Sequence, residues 1–287
     1  MATEKGTLYI CATPIGNLDD ITKRVLDTLS SADLIAAEDT RNTLKLLNHF
    51  GIRGNLTSYH EHNKYEKAEH LIKELLSGKN IALVTDAGTP AISDPGQVLV
   101  SRCNEENIPV TSLPGATAFV TALTLSGLST DRFIFEGFLP HDKKERTAVL
   151  DNLAGETGTI ILYEAPHRLK ETLKTLLDAL GNRKTALCRE LTKIHEEVLH
   201  LDLESAVSYF EDREPKGEFV LVIEGKDPAA AQKEAQKKWE ELSLNEHMEI
   251  YLSSGLDKRT AMKKVADDRG VSKRDIYNQL LKEDDNE

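Results

Sequence analysis

Three short segments carry the residue types and spacing that ligand chemistry needs: ATPIGN (12–17), TDAGTPAISDPG (85–96) and SLPGATA (112–118). Each follows an apolar run and is rich in Gly, Pro and small residues, which let bare backbone approach a bound molecule. Amides at the start of a following helix can hold an electronegative group. In the second loop Thr89 and Ser93 add hydroxyls and Asp86 a carboxylate. An ordinary strand-to-helix turn explains the first segment taken alone, but a surface turn does not need the run of constrained residues in the second. The glycine spacing is not that of a dinucleotide fingerprint. In open α/β sheets ligands gather outside the carboxyl ends of strands, so three such loops at three strand ends predict one shared pocket.

Proton chemistry points elsewhere. In AEDTR (37–41) a predicted strand delivers Glu38 and Asp39 to its end beside Arg41. Two carboxylates next to a cation can divide into a base and an orienting group, and they can equally form a helix cap with its ion pair. His60, His62 and Asn63 offer a second base and polar contacts; a lone histidine is usually structural, but two within three residues near a loop argue for a role. His167 with Arg168 in YEAPHR, and Arg189 with Glu190 in RELTK, place cations at further strand ends. The planar fork of arginine suits phosphate, and an inter-lobe or dimer ion pair would use the same residues.

These groups need a scaffold, and the hydrophobic pattern supplies one. Apolar runs predict strands at 8–15, 33–39, 80–88 and 108–115, then at 132–139, 158–165, 184–191, 196–203 and 217–225. Helical patterns fall between them at 18–31, 63–78, 94–107, 116–127, 168–180 and 204–213, the alternation of an α/β fold. The short gap between 184–191 and 196–203 predicts an antiparallel hairpin in the second half. We read an N-terminal α/β lobe (1–113), a C-terminal α/β lobe (114–226) and a linker helix with a small helical domain (227–287). Within the last, helices are expected at 243–253, 257–269 and 272–282, capped by Asp257 and Ser272 and stopped at Gly255 and Gly270.

Lys plus Arg number 36 against 48 Asp plus Glu, a formal charge of −12 that argues against bulk attraction to nucleic acid. Between Ser253 and Lys282, however, eight cations face four carboxylates, a local charge of +4. Lys258, Arg259, Lys263, Lys264, Lys273 and Arg274 are therefore candidate nucleic-acid contacts, with a solvated basic face as the plain alternative. The helix opening at Ser272 with Lys273 and Arg274 in its first turn resembles the recognition element of a helix-turn-helix. Trp239 and the phenylalanines read as packing residues, leaving no aromatic ladder for stacking bases. Cys11, Cys103 and Cys188 are too scattered for disulfides or a zinc site, so no metal is expected. No charge-free stretch is long enough to span a bilayer, and the first residues lack a secretory layout, so a cytoplasmic location without membrane partners is expected.

TPIGN, AEDTR, HEHN (60–63), DAGTPAISDPG, PGATA, EGFLP (136–140), YEAPHR (163–168), RELTK (189–193) and KGEFVLVIEG (216–225) occur in that order along the chain. Together the set resembles the small-subunit ribosomal RNA 2′-O-methyltransferase I family, a branch of the tetrapyrrole methylase superfamily. The resemblance implies a homodimer of two-lobed class III methyltransferase fold, with S-adenosylmethionine between the lobes as cosubstrate. It also implies methylation of a cytidine ribose 2′-hydroxyl in the decoding region of 16S ribosomal RNA. By the same resemblance Pro14 and Gly16 face the cofactor, as do Gly88, Thr89, Pro90, Ile92 and Ser93 in the second loop. Ala116 and Thr117 follow the Pro-Gly turn, and Tyr163 and Leu187 close over the adenosine. This chain has Thr89 where relatives acting on tetrapyrroles commonly have Asp, with Asp86 three residues earlier. Two rival readings remain: a tetrapyrrole (precorrin-type) methylase, against which the basic helical domain speaks, and a non-catalytic ribosome-assembly factor, against which the intact Gly and Pro loops speak.

Overall fold

A computed structural model of the chain describes residues 4–240 and 242–284. The parts of the expected domains that fall on 1–3, 241 and 285–287 lie outside the described residues.

The first lobe alternates β1 (Leu8–Cys11), α1 (Lys23–Ser31), β2 (Leu34–Ala37), α2 (Thr40–His49), β3 (Leu56–Ser58), α3 (Lys64–Leu76), β4 (Ile81–Val84), α4 (Gly96–Glu105) and β5 (Val110–Leu113). Its five strands are all parallel, in the order β3-β2-β4-β1-β5. Successive side chains of a strand point to opposite faces, and a strand covered on both sides must be apolar throughout. β4 shows this: Ile81 and Leu83 pack with Leu71, Leu75 and Leu99 of α3 and α4, while Ala82 and Val84 pack with Val25, Leu29 and Leu47 of α1 and α2. The helix expected over 18–31 is split, because the Thr22 hydroxyl caps α1 by accepting from Val25 N at 3.3 Å, leaving only a 3-10 turn at Leu18–Asp20.

The second lobe contains α5 (Ala118–Ser126), β6 (Phe133–Phe138), α6 (Lys143–Ala154), β7 (Thr159–Glu164), α7 (Pro166–Leu180), β8 (Lys184–Arg189), β9 (Glu197–Asp202), α8 (Leu203–Tyr209) and β10 (Phe219–Ile223). Its sheet runs β6-β7-β10-β8-β9; β6 and β7 are parallel, and the other pairs antiparallel, including the expected β8–β9 hairpin. Ala122 and Leu123 of α5 press on Ile161, Ala186, Cys188, Val220 and Val222. Both lobes belong to one compact unit, Met1–Leu150 with Thr159–Glu224.

A second unit comprises Asp151–Gly158 and Gly225–Glu287. It holds α9 (Pro228–Glu240), α10 (Leu244–Ser253), α11 (Lys258–Arg269) and α12 (Lys273–Asp284). Leu244, Met248, Ala261, Val265, Ala266, Ile276 and Leu280 form its core. A capping box at Ser243 and Glu246 starts α10, Asp257 caps α11, and Gly270 ends α11 at φ +65°. The architecture is thus the expected two-lobed α/β fold followed by helices.

Candidate active site

β4, β1 and β5 are adjacent in the first sheet, so the loops leaving their carboxyl ends meet. Thr13 and Gly88 exchange backbone hydrogen bonds of 2.9 and 3.0 Å, and Gly115 lies so close that a Cβ there would sit 2.6 Å from Ala12 Cβ. In the second loop Gly88, Ala91 and Ser93 adopt φ of +88°, +69° and +59°. A left-handed non-glycine residue costs about 1–2 kcal/mol, so something must hold this turn. Asp94 does: its carboxylate accepts from Ala91 N at 2.9 Å and Gly96 N at 2.7 Å. The hydroxyl of the buried Tyr59 donates to Pro95 O at 2.9 Å. Thr89 Oγ1 donates to Ala116 O at 3.1 Å and lies 2.8 Å from Thr117 Oγ1, tying the second loop to the third.

The second lobe faces these loops with an equally braced turn after β8. Glu190 and Thr192 both have positive φ, +52° and +64°, a conformation that is rare for a β-branched residue. Thr192 Oγ1 accepts from Asn17 N at 3.0 Å, joining the first loop to the second lobe. Lys193 Nζ donates to Glu190 Oε1 at 2.9 Å and Glu218 Oε2 at 2.8 Å. Gly217 must lack a side chain, since a Cβ would meet Glu190 Cγ at 2.5 Å. The Tyr163 hydroxyl accepts from Phe119 N at 3.2 Å, and burial pushes its pKa up. Between the lobes lies a cleft of about 540 Å³, within the range of small-molecule sites.

Of the residues expected to hold a cofactor, Asp86, Gly88, Thr89, Ile92, Ser93, Thr117 and Tyr163 line this cleft. The others support it from behind or beside. Pro14 is half-buried, Gly16 packs on Thr192 and Lys193, Pro90 is buried, and Ala116 lends its carbonyl to Thr89. Leu187 is fully buried, and its neighbour Cys188 is the β8 residue at the cleft.

The two acids of AEDTR part company. Glu38 lines the cleft, where its Oε2 accepts from Thr85 Oγ1 at 2.5 Å. Asp39 turns back to cap α2, accepting from Arg41 N at 2.8 Å and from Arg41 Nη2 at 2.8 Å. Those bonds hold its carboxyl down at about 2. Burial, followed by the charge of Glu38, pushes the Asp86 carboxyl above its ordinary range. Burial also raises Asp94, against the pull of the amides it accepts from. His62 is exposed, with its ring 6.0 Å from that of His60. His167 is exposed, whereas Arg168 is spent inside the lobe: it pairs with the buried Glu164 at 3.6 Å and donates to Leu139 O at 2.8 Å. Arg189 pairs with Glu197 at 3.2 Å. Sequence reasoning passed over Lys193 and Glu218, whose contact spans 25 residues, and Asp94, whose signal was the turn-forming Asp-Pro-Gly run.

In the helical unit Lys258, Arg259, Lys263, Lys264 and Arg274 are exposed, and Lys273 is half-buried. None of these six makes a side-chain hydrogen bond or close ion pair with a described residue. Their acidic neighbours are engaged: Asp257 caps Thr260 N at 2.9 Å, Asp275 accepts from Ser272 Oγ at 2.6 Å, and Asp268 accepts from Tyr251 Oη at 2.5 Å. Arg269 points inward, donating through Nε to His247 Nδ1 at 3.1 Å and through Nη2 to Leu242 O at 2.6 Å. His247 is itself buried and stacked on Trp239 at 4.1 Å; burial lowers its pKa.

Residues 7–207 match the family of tetrapyrrole (corrin/porphyrin) methylases. The ribosomal RNA small subunit methyltransferase I of Halalkalibacterium halodurans is 53% identical over 275 residues, covering 96% of this chain and 94% of that protein. Its namesake in Bacillus subtilis is 47% identical over 275 residues, with 96% and 94% covered. Among solved structures, uroporphyrin-III C-methyltransferase from Thermus thermophilus in complex with S-adenosylhomocysteine superposes at a TM-score of 0.55. It shares 19% identity over 77% of this chain and 98% of that one, so it speaks for the fold alone. A tetrapyrrole-methylase fold spanning most of the chain, and identity of about one half with these bacterial proteins over nearly all of it, place the chain in the ribosomal RNA small subunit methyltransferase I family.

Proposed function

We propose that this chain methylates small-subunit ribosomal RNA with S-adenosylmethionine as donor, at the ribose 2′-hydroxyl of a cytidine in the decoding region of 16S RNA. The observation that carries the reading is the inter-lobe cleft, where strand-end loops present bare backbone, small hydroxyls and the Asp86 carboxylate, with Glu38 bound beside them to Thr85. A nucleoside with a charged amino-acid tail fits this mixture of backbone, apolar and charged groups. The donor supplies an already activated methyl on a sulfonium. What the protein must add is an aligned oxygen, a dry site and a place for the proton.

Glu38 meets the last need. Its Oε2 is fixed by the Thr85 hydroxyl, which leaves the other carboxylate oxygen to take the 2′-hydroxyl proton as the O–C bond forms and the S–C bond breaks, with the electron pair left on sulfur. Asp39, tied to Arg41, positions the start of α2 and takes no part in proton transfer. The braced turn at Glu190–Lys193 and the loop held by Asp94 keep the walls rigid, so that alignment is not lost to motion.

The free cations of α11 and α12 support RNA affinity in the 227–287 segment, while the lobes 1–113 and 114–226 supply chemistry. The homodimer belongs to the same proposal, supported by Val120 and Leu125 on α5 and Phe133 on β6, which expose apolar surface on one lobe. No helix among the described residues is long and apolar enough to cross a membrane, and the proposed ribosomal substrate puts the enzyme in the cytoplasm. Incubation with labelled S-adenosylmethionine and, in parallel, small subunits, naked 16S RNA and a tetrapyrrole tests the reading. Label is expected in the RNA. Label in the tetrapyrrole alone, or in nothing despite bound donor, would overturn it in favour of the rival enzyme or the assembly factor.

A further inference from the structure

α12 leaves one face uncovered. Ile276 and Leu280, one turn apart, enter the core of the helical unit. On the outward side stand Arg274, Tyr277, Asn278 and Leu281, all exposed, with Tyr277 at 52%. Spacings of three and four residues set Lys273, Arg274 and Tyr277 as neighbours on that surface. The Tyr277 ring and hydroxyl have no hydrogen-bond or ring partner among the described residues. The acid in the same turn, Asp275, is bound back to Ser272 N and Oγ and makes no close ion pair with Lys273 or Arg274, whose head groups stay available beside the ring.

An open aromatic face flanked by an ammonium and a guanidinium suits a polyanion that carries flat apolar plates. We infer that α12 grips RNA by stacking one unpaired base on Tyr277 while Lys273 and Arg274 hold the phosphates on either side. The inference rests on the proposed RNA substrate and narrows it. In an A-form duplex the bases are stacked on one another and the deep groove excludes side chains, so only a single-stranded or looped-out nucleotide can occupy the ring. A protein partner for this face would need carboxylates to meet the free cations and would gain nothing from an unpaired base.

The test uses the full chain and two labelled probes of one sequence, a single-stranded RNA oligonucleotide and its duplex, titrated at several salt concentrations. Tyr277→Ala should weaken single-strand binding roughly 5- to 150-fold and leave duplex binding unchanged. Because stacking releases no counterion, the slope of log affinity against log salt should stay at the wild-type value. Arg274→Gln should lower that slope by about 0.7, and Tyr277→Phe should bind like wild type, which separates stacking from a folding defect. Equal loss on both probes, a changed slope in Tyr277→Ala, or unchanged affinity would each overturn the inference. So would a fall in sedimentation mass on Tyr277→Ala, which assigns the face to a second copy. If wild-type protein binds neither probe, the RNA reading itself fails, a result distinct from an inert Tyr277.

Discussion

Gly88 offers the sharpest single perturbation of the cleft. It sits at φ +88° and forms both hydrogen bonds of the bridge to Thr13. A Cβ added there meets Ile15 Cγ2 at 3.4 Å and Ala116 O at 3.6 Å, ordinary contacts that Ala can accommodate. The cost of Gly88→Ala is therefore in the backbone, about 1–2 kcal/mol for a left-handed non-glycine residue. At roughly 2–4 °C per kcal/mol for a chain of this size, the melting temperature should fall by about 2–8 °C, with donor binding kept. Gly88→Leu carries the same backbone cost and adds a branched side chain where Gly88, Ile15 and Thr117 line the cleft. It should remain folded by circular dichroism and lose S-adenosylmethionine binding in calorimetry. A folded Leu variant with wild-type affinity would remove this loop from the site, and an Ala variant that melts like wild type would refute the strain argument.

Glu38→Gln should lower kcat by about 10²–10⁴ while donor affinity changes little; a matching loss of donor affinity would make Glu38 a loop support and not the base. Changing Lys258, Arg259, Lys263 and Lys264 together to Gln should leave donor affinity intact and weaken RNA binding. The salt slope should fall by about 0.7 for each lost phosphate contact, and an unaltered slope would move the RNA surface elsewhere. Asp39 is held at about 2 against an ordinary 3.8, so its folded-state charge stabilises fully above the ordinary value, and that contribution disappears as pH falls toward 2. The stability gap between wild type and Asp39→Asn should be present at neutral pH and close between about pH 4 and 2; a gap independent of pH would refute the Arg41 pairing.

The parts of this molecule written locally were legible in the sequence. Continuous apolar runs revealed strands such as β4 and β10, and Gly-Pro loops marked the cleft because their backbone conformations exclude most residues. Asp257 and Ser272 were readable as caps. The predicted strands overran at their carboxyl ends because Ala12, Thr13 and Gly88 are buried like strand residues yet leave the ladder for the loop bridge. β3 escaped notice because three half-buried residues make no period. What sequence could not decide was set by which side chains the folded backbone brought into contact. Glu38 and Asp39 look alike until Thr85 takes one and Arg41 the other. Arg168 reads as a phosphate ligand until Glu164, at the end of β7, becomes buried beside it. Tyr277 differs from its neighbour Ile276 only in helix register, and that register decides which one enters the core.

The most direct test of the central claim is to run the reaction with methyl-deuterated S-adenosylmethionine on small subunits and on naked 16S RNA. The RNA is then digested to nucleosides and the labelled one fragmented by mass spectrometry, in parallel for wild type and Glu38→Gln. The account predicts a single labelled cytidine with the heavy methyl on its ribose fragment, formed at a rate that falls by about 10²–10⁴ in the variant. A heavy methyl on the base, label spread over several nucleotides, or an undiminished rate in Glu38→Gln would contradict it.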